Sequence, residues 1–408
     1  MQYISQQRQI IRSFYTGIGK TAVIFPSTFL VAIGTGMLNL GIIFYMREVY
    51  HALPSLIGGL MACNILFYIL GCLLIRPLFD RLPPRYLMII ATSCMAAFSL
   101  LIYLCHSIPL IFILYGFYGL AGAFFWPPAM GWLSRKIEGA ELNRVMSRFN
   151  LSWSLGIVIS PILAGFLSER SPELPILGVI ILFICTSLLI TGAALALPKI
   201  RNDSHSEKQS HLADKAADHS TFLRFPAWVG LFTSFVFVGV IVTIFPLYAQ
   251  DSLETSKSMV GTLLSLRTLC MTIGFILLGR ITIWHFKARY IILGQIFLLV
   301  LLLFFIRAHS VIFFAALMPL LGLATSFSYS NSLFHGVAGS TRRADRIAIN
   351  ESLLTGGFIC GSSIGGMLYQ HYSMGTVFLF CILCGAAGIL AQIVLLIINK
   401  RTGLSPSN

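Results

Sequence analysis

Apolar runs of about 20 residues recur along nearly the whole chain, separated by proline, glycine or clusters of charge. A run of that length crosses a bilayer core as a helix. Within runs such as 291–305 and 377–398 apolar residues occupy every side, whereas a barrel strand alternates apolar and polar positions. Backbone groups in hydrocarbon must be satisfied within the structure itself, so the pattern predicts membrane helices. The breaks define twelve spans. Six cover residues 22–46, 56–76, 86–105, 109–134, 146–168 and 174–197. Six more cover 226–250, 258–280, 289–306, 310–337, 347–369 and 375–399.

Composition agrees with an all-α polytopic membrane protein. Of 408 residues, 57% are hydrophobic and only 10% charged, with a mean hydropathy of +0.86, too little charge to cover a soluble protein of this size. The first apolar run follows a polar, basic stretch and is too long for a signal-peptide core, so no cleaved leader is expected. All nine cysteines fall in or at the ends of spans, which suggests no disulfide framework. Cys381 and Cys384 have CxxC spacing, but inside an apolar helix they read as small hydrophobes.

Charge sets the expected orientation. With the N-terminus inside, 23 of the 28 Lys and Arg residues fall on cytoplasmic segments. Outside lie only Arg47, Arg170, Lys257 and Arg307, while Arg267 lies within a span. This bias predicts an integral inner-membrane protein with both termini cytoplasmic. The net charge of +14 is spread over seven short loops and tails, which suits anionic headgroups rather than nucleic acid.

One long polar stretch, residues 199–224, separates the first six spans from the last six. Its His205, His211 and His219 lack close ligand spacing, so it reads as a flexible cytoplasmic linker. The expected domains are residues 1–198, the linker 199–224, and residues 225–408. The flanking halves resemble each other. Arg85-Tyr86 and Arg289-Tyr290 align at an offset of 204. In spans five and eleven, Gly156, Ser160, Ala164 and Gly165 align with Gly357, Gly361, Gly365 and Gly366 at an offset of 201. Duplicated six-helix bundles with a solute site near the midplane are a common transporter plan.

At these residues the chain resembles the major facilitator superfamily (MFS). The loop after span two is similar to the family's Gly-x-Leu-Ala-Asp-Arg-x-Gly-Arg-Lys signature, keeping Leu78, Asp80, Arg81 and Arg85, with Arg76 and Pro83 at the glycine positions. The resemblance implies that Asp80, Arg81 and Arg85 latch the cytoplasmic side against the start of span eleven, near Arg346. A plain positive-inside loop is the alternative. Span five resembles the family's Gly-x-x-x-Gly-Pro-x-x-Gly-Gly signature through Gly156, Ser160, Pro161, Ala164 and Gly165. Small residues at this spacing allow close helix contact, and Pro161 permits a bend. In the family this signature is typical of proton-driven exporters. Ordinary helix packing explains it equally. The chain departs from family exporters in having no arginine in the stretch Tyr115-Gly-Phe-Tyr118-Gly119, and no Asp or Glu inside spans one to six away from their ends.

Two ionisable residues stand within the later spans, where charge is costly and usually functional. Arg267 lies close to the middle of span eight and requires an anionic or carbonyl partner, either a substrate group or Glu351. Glu351, one turn into span eleven, reads either as a proton carrier or as a helix-start acid beside Arg346. Asn64 occupies in span two nearly the place of Arg267 in span eight, at an offset of 203, and Asn39, Asn150, Asn331, Asn350 and Gln392 add further amides. Span four places Tyr115, Tyr118, Gly122, Phe125 and Ala129 at helical spacing, and span five adds Asn150 and Trp153 on one face, so that Tyr118, Phe125 and Trp153 either pack or clamp an amphipathic solute. His335 reads as an interfacial histidine or a gate.

The resemblance implies a monomeric secondary transporter that carries a small solute by alternating access and needs no cofactor. An organic anion bound at Arg267, with Asn64, Asn39, Tyr118, Phe125 and Trp153 around it, is the leading reading. A proton-coupled multidrug exporter is the alternative. A lipid-modifying membrane enzyme would need a nucleophile, metal or carboxylate cluster at an interface. Glu138/Glu141 and Glu169/Glu173 lie in short loops with no matching histidines.

Overall fold

The computed structural model describes residues 19–74, 82–134, 139–196, 220–340 and 342–402. Those residues form fourteen α-helices and no strand. The earlier part of the chain contributes α1 (Thr21–Val49), α2 (Pro54–Leu74), α3 (Pro84–Leu104), α4 (Ile108–Ala123), α5 (Trp126–Ser134), α6 (Gly139–Arg170) and α7 (Leu174–Ala196). The later part contributes α8 (Arg224–Thr243), α9 (Phe245–Asp251), α10 (Lys257–Leu278), α11 (Ala288–Arg307), α12 (Val311–Val337), α13 (Arg343–His371) and α14 (Met374–Thr402).

Among the described residues, eleven of the twelve expected spans are helical stretches long and apolar enough to cross a membrane. The remaining one corresponds to α13. This helix matches α1 in length, at 29 residues, but Arg343, Asp345, Arg346, Asn350 and Glu351 make its first turns polar. Two expected spans are interrupted. Span four breaks between α4 and α5, where neither Pro127 nor Pro128 has an N–H to continue the ladder; Phe124 N–H turns back to Ala121 O at 3.0 Å. Span seven breaks at Ile244, because Pro246 has no N–H for the carbonyl of Val242.

The chain divides into two compact units, Met1–Ile42 with Cys63–Ser210, and Ile43–Ala62 with His211–Asn408. The end of α1 and the start of α2 therefore pack with the later helices. Inside each unit the same close approach recurs. A Cβ on Gly119 of α4 would collide with the Asn64 carbonyl of α2, and a Cβ on Gly322 of α12 with the Arg267 carbonyl of α10. Both pairs are related by an offset of 203. One turn or two along, Gly71 abuts Leu120 and Ala123, and Gly274 abuts Leu323 and Ser326, again at 203. The small residues of spans five and eleven behave in the same way. Gly156 lies against the Phe29 carbonyl of α1, and Gly357 against the Phe232 carbonyl of α8. The duplication is thus a repeat of packing as well as of residue type.

Lipid gives helices no hydrophobic reason to associate, so backbone contact of this kind supplies much of the holding force. At Gly361 an added Cβ would meet the Val236 carbonyl, whereas at Gly192 it would meet nothing within 4 Å. Gly361→Ala is therefore expected to lower stability by about 1–3 kcal/mol, and Gly192→Ala to leave it unchanged or slightly raised. Thermal unfolding of the two variants in detergent measures the difference.

Candidate functional site

In the first unit Asn39, Tyr115 and Asn64 join into one chain of hydrogen bonds. The Tyr115 hydroxyl donates to Asn39 Oδ1 at 2.7 Å, and Asn64 Nδ2 donates to the Tyr115 carbonyl at 2.8 Å. This links α1, α4 and α2 through a tyrosine that the sequence presents only as one ring in a stripe. Tyr118 stacks on Tyr115 with centroids 5.7 Å apart and lies against Phe183 of α7 at 6.0 Å. It is 2% exposed, and Phe125, set edge-on to Trp126, is fully buried. The Tyr118 hydroxyl is buried without a hydrogen-bond partner among the described residues. Trp153 is half-buried and donates Nε1–H to Asn150 Oδ1 at 3.2 Å.

The second unit holds the charge. Close packing of α10 on α12 at Gly322 carries Arg267 inward, leaving it 7% exposed. Its Nε and Nη1 are buried, and no described residue accepts a hydrogen bond from them. An unpaired charged donor in low dielectric is strongly unfavourable, so this guanidinium calls for an acceptor that the described residues do not supply. Glu351 does not fill that role. Its Oε1 accepts from the Tyr329 hydroxyl at 3.1 Å and from Asn350 Nδ2 at 3.4 Å, and Asn350 Oδ1 accepts from the Ser332 hydroxyl at 2.6 Å. Among the described residues this carboxyl group has hydroxyl and amide partners and no basic one.

His335, in the last turn of α12, has no exposed surface. Its Nε2 accepts from Phe286 N–H at 3.2 Å, which leaves Nδ1–H to donate to Asn331 O at 2.9 Å. The neutral ring thereby ties α12 to the α10–α11 connection, where Phe286 has a positive φ of 55°.

At the opposite helix ends, ion pairs fasten residues 43–62 to the rest of the second unit. Arg47 Nη2 and Asp251 Oδ2 are 3.0 Å apart, and Lys257 Nζ donates to Glu48 Oε2 at 2.7 Å. The Ser55 hydroxyl and backbone N–H both reach Gln370 Oε1. Sequence reading found Arg47 and Lys257 as outside charges but not their partners, which lie more than 200 residues away.

Of the expected latch, Asp80 and Arg81 lie outside the described residues. Arg85 is buried with its guanidinium 4.9 Å from the Tyr86 ring, and Arg346 stands 5.9 Å from the Trp228 ring. Pro161 lies within α6, one residue past Ser160, whose side chain faces Gly36.

Long apolar helices packed through glycine, with a buried arginine at mid-helix depth, define a polytopic helical membrane protein. The model of the Major Facilitator Superfamily matches residues 24–282 and 227–407, and the chain belongs to that family. An uncharacterized MFS-type transporter of Methanocaldococcus jannaschii is 30% identical over 172 residues, 42% of this chain and 44% of that protein. The chain thus matches less than half the length of this curated relative. Two solved structures share the fold. A mutant of peptide transporter POT bound to alafosfalin aligns with a TM-score of 0.74 at 11% identity, covering 95% of this chain and 96% of that one. Nucleoside transporter NupG aligns with a TM-score of 0.71 at 13% identity, covering 93% and 99%. The family match and the apolar helices together make the chain a membrane-spanning member of the Major Facilitator Superfamily.

The Asn39–Tyr115 bond is expected to contribute measurably to the first unit. A double-mutant cycle with Tyr115→Phe and Asn39→Leu should yield a coupling of about 0.6–1.7 kcal/mol, read from unfolding in detergent.

Proposed function

We propose that the protein carries a small organic anion across the inner membrane by alternating access, with Arg267 binding the anionic group. The observation that supports this most is the buried Arg267 guanidinium with two unmet donors. A carboxylate or phosphate oxygen meets both the charge and the hydrogen-bond demand, since guanidinium pairs well with either. Asn64, equivalent to Arg267 by the offset of 203, turns its amide to the Tyr115 carbonyl instead, and Tyr115 donates to Asn39. Trp153 is the half-buried aromatic best suited to touch an apolar portion of the solute.

Movement between states has two sets of restraints in this reading. The domains are the bundles 1–198 and 225–408, joined by the linker 199–224, with both termini cytoplasmic and the monomer as the working unit. Arg47–Asp251 and Glu48–Lys257 break and reform as the transporter cycles, while Asp80, Arg81, Arg85 and Arg346 act at the cytoplasmic end. Gly156, Pro161 and Gly361 let the helices slide without side-chain obstruction. The Glu351–Tyr329 pair favours proton coupling, because a carboxyl group held by hydroxyl and amide partners has no resident cation to keep it ionised. Proton-coupled export of amphipathic compounds is the second reading, and the same pair supports it.

Reconstitution into liposomes, with uptake of a metabolite and drug panel measured with and without a pH gradient, separates the two. Arg267→Ala is expected to abolish saturable anion uptake, a loss of at least a hundredfold, and Arg267→Lys to restore only part of it. Movement of amphipathic drugs that is insensitive to Arg267→Ala would instead identify the exporter. For the coupling, Glu351→Gln is expected to make transport indifferent to the pH gradient. Gradient-driven accumulation that persists in this variant removes Glu351 as the proton carrier.

A further inference from the structure

A hollow of about 660 Å³ opens in the second unit among the ends of α1, α9, α11 and α13 and the start of α14, well away from Arg267. Its size is that of a small-molecule site. The floor is apolar, made by Phe305, Met374 and Phe378, all buried. Two tyrosines that meet edge to face also line it. The Tyr248 and Tyr369 rings have centroids 6.4 Å apart and planes at 85°. Beside them stands Asp251, whose Oδ2 takes Arg47 at 3.0 Å and the Tyr369 hydroxyl at 3.4 Å. Its Oδ1 has no partner among the described residues, and a third of the side chain is exposed.

Aromatic rings and an apolar floor beside a carboxylate recognise one chemistry well. An ammonium group is drawn to the ring faces and to the acid together, while the apolar floor holds a hydrocarbon body. An anion would gain from Arg47 but would meet Asp251 and the negative ring faces. We propose that this hollow binds an organic ammonium compound with a small apolar body, and that its charge competes with Arg47 for Asp251. Binding then loosens the Arg47–Asp251 tie between the end of α1 and the end of α9. His309, on the rim, is exposed to solvent and opposes the guest only weakly. Lys257 is engaged by Glu48. Only the consequence for transport rests on the alternating-access reading; the binding itself does not.

Isothermal titration of the full chain in detergent with benzylammonium, benzyl alcohol and benzoate at equal ionic strength tests the site. Benzylammonium is expected to bind at least tenfold more tightly than either of the others. Asp251→Asn is expected to weaken it at least tenfold, and Tyr248→Ala severalfold. The distinctive result is Arg47→Gln, which removes the competing cation and should tighten benzylammonium about two- to fivefold, the strength of an exposed ion pair. Equal binding of all three probes, or no binding at all, overturns the proposal. So does benzoate preference that disappears in Arg47→Gln, which would make the hollow an anion site. If Asp251→Asn does not fold, Arg47→Gln alone decides: unchanged or weaker benzylammonium binding refutes competition for the carboxylate. Anion uptake and its loss in Arg267→Ala are measured separately, so either idea can fail while the other stands.

Discussion

Contact between helix backbones is the constraint on which the rest of this structure depends. Lipid tails are as apolar as the side chains they touch, so burial offers little to hold two membrane helices together. What remains is dispersion between surfaces close enough to touch, and this requires residues without bulk at the crossing points. Gly119 against Asn64, Gly322 against Arg267, and Gly361 against Val236 meet that requirement at backbone carbonyls. A methyl group at any of them would push the helices apart. Because the Gly119 and Gly322 crossings are related by an offset of 203, each half reproduces this contact even where side chains have diverged.

The polar groups follow from that packing. Gly322 brings α12 against the backbone of Arg267, which carries the guanidinium into a place where it is 7% exposed and short of acceptors. At the equivalent crossing, Asn64 meets the Tyr115 carbonyl and finishes as a satisfied amide. One duplicated geometry therefore yields a quiet hydrogen bond in one unit and an unmet charge in the other.

Much of the fold is legible along the chain because membrane helices answer to local rules. Length and unbroken hydropathy identify them with no knowledge of neighbours, and Pro127, Pro128 and Pro246 mark the two interruptions for anyone who asks where the missing N–H groups would have gone. Arg267 is equally plain, as a lone charge within an apolar run. Other residues carry no such mark. Tyr115 looks like any ring in an aromatic stripe, and only the approach of Asn39 and Asn64 makes it a junction. His335, near the end of its helix, reads as interfacial until the loop bearing Phe286 folds over it.

Sequence alone determined the membrane class, the positions of the spans, the duplicated halves, the family, and the two ionisable groups at depth. Those features depend on composition and spacing within one segment, or on likeness between two. Tertiary structure decided which groups meet. It separated Glu351 from Arg267 and gave it Tyr329, paired Arg47 with Asp251 across 204 positions, and turned Tyr248 and Tyr369 into the walls of a hollow. The physical reason is that a charge or a ring takes its meaning from what lies within a few ångströms of it. In a bundle of long helices, those neighbours are set by the crossings of distant segments.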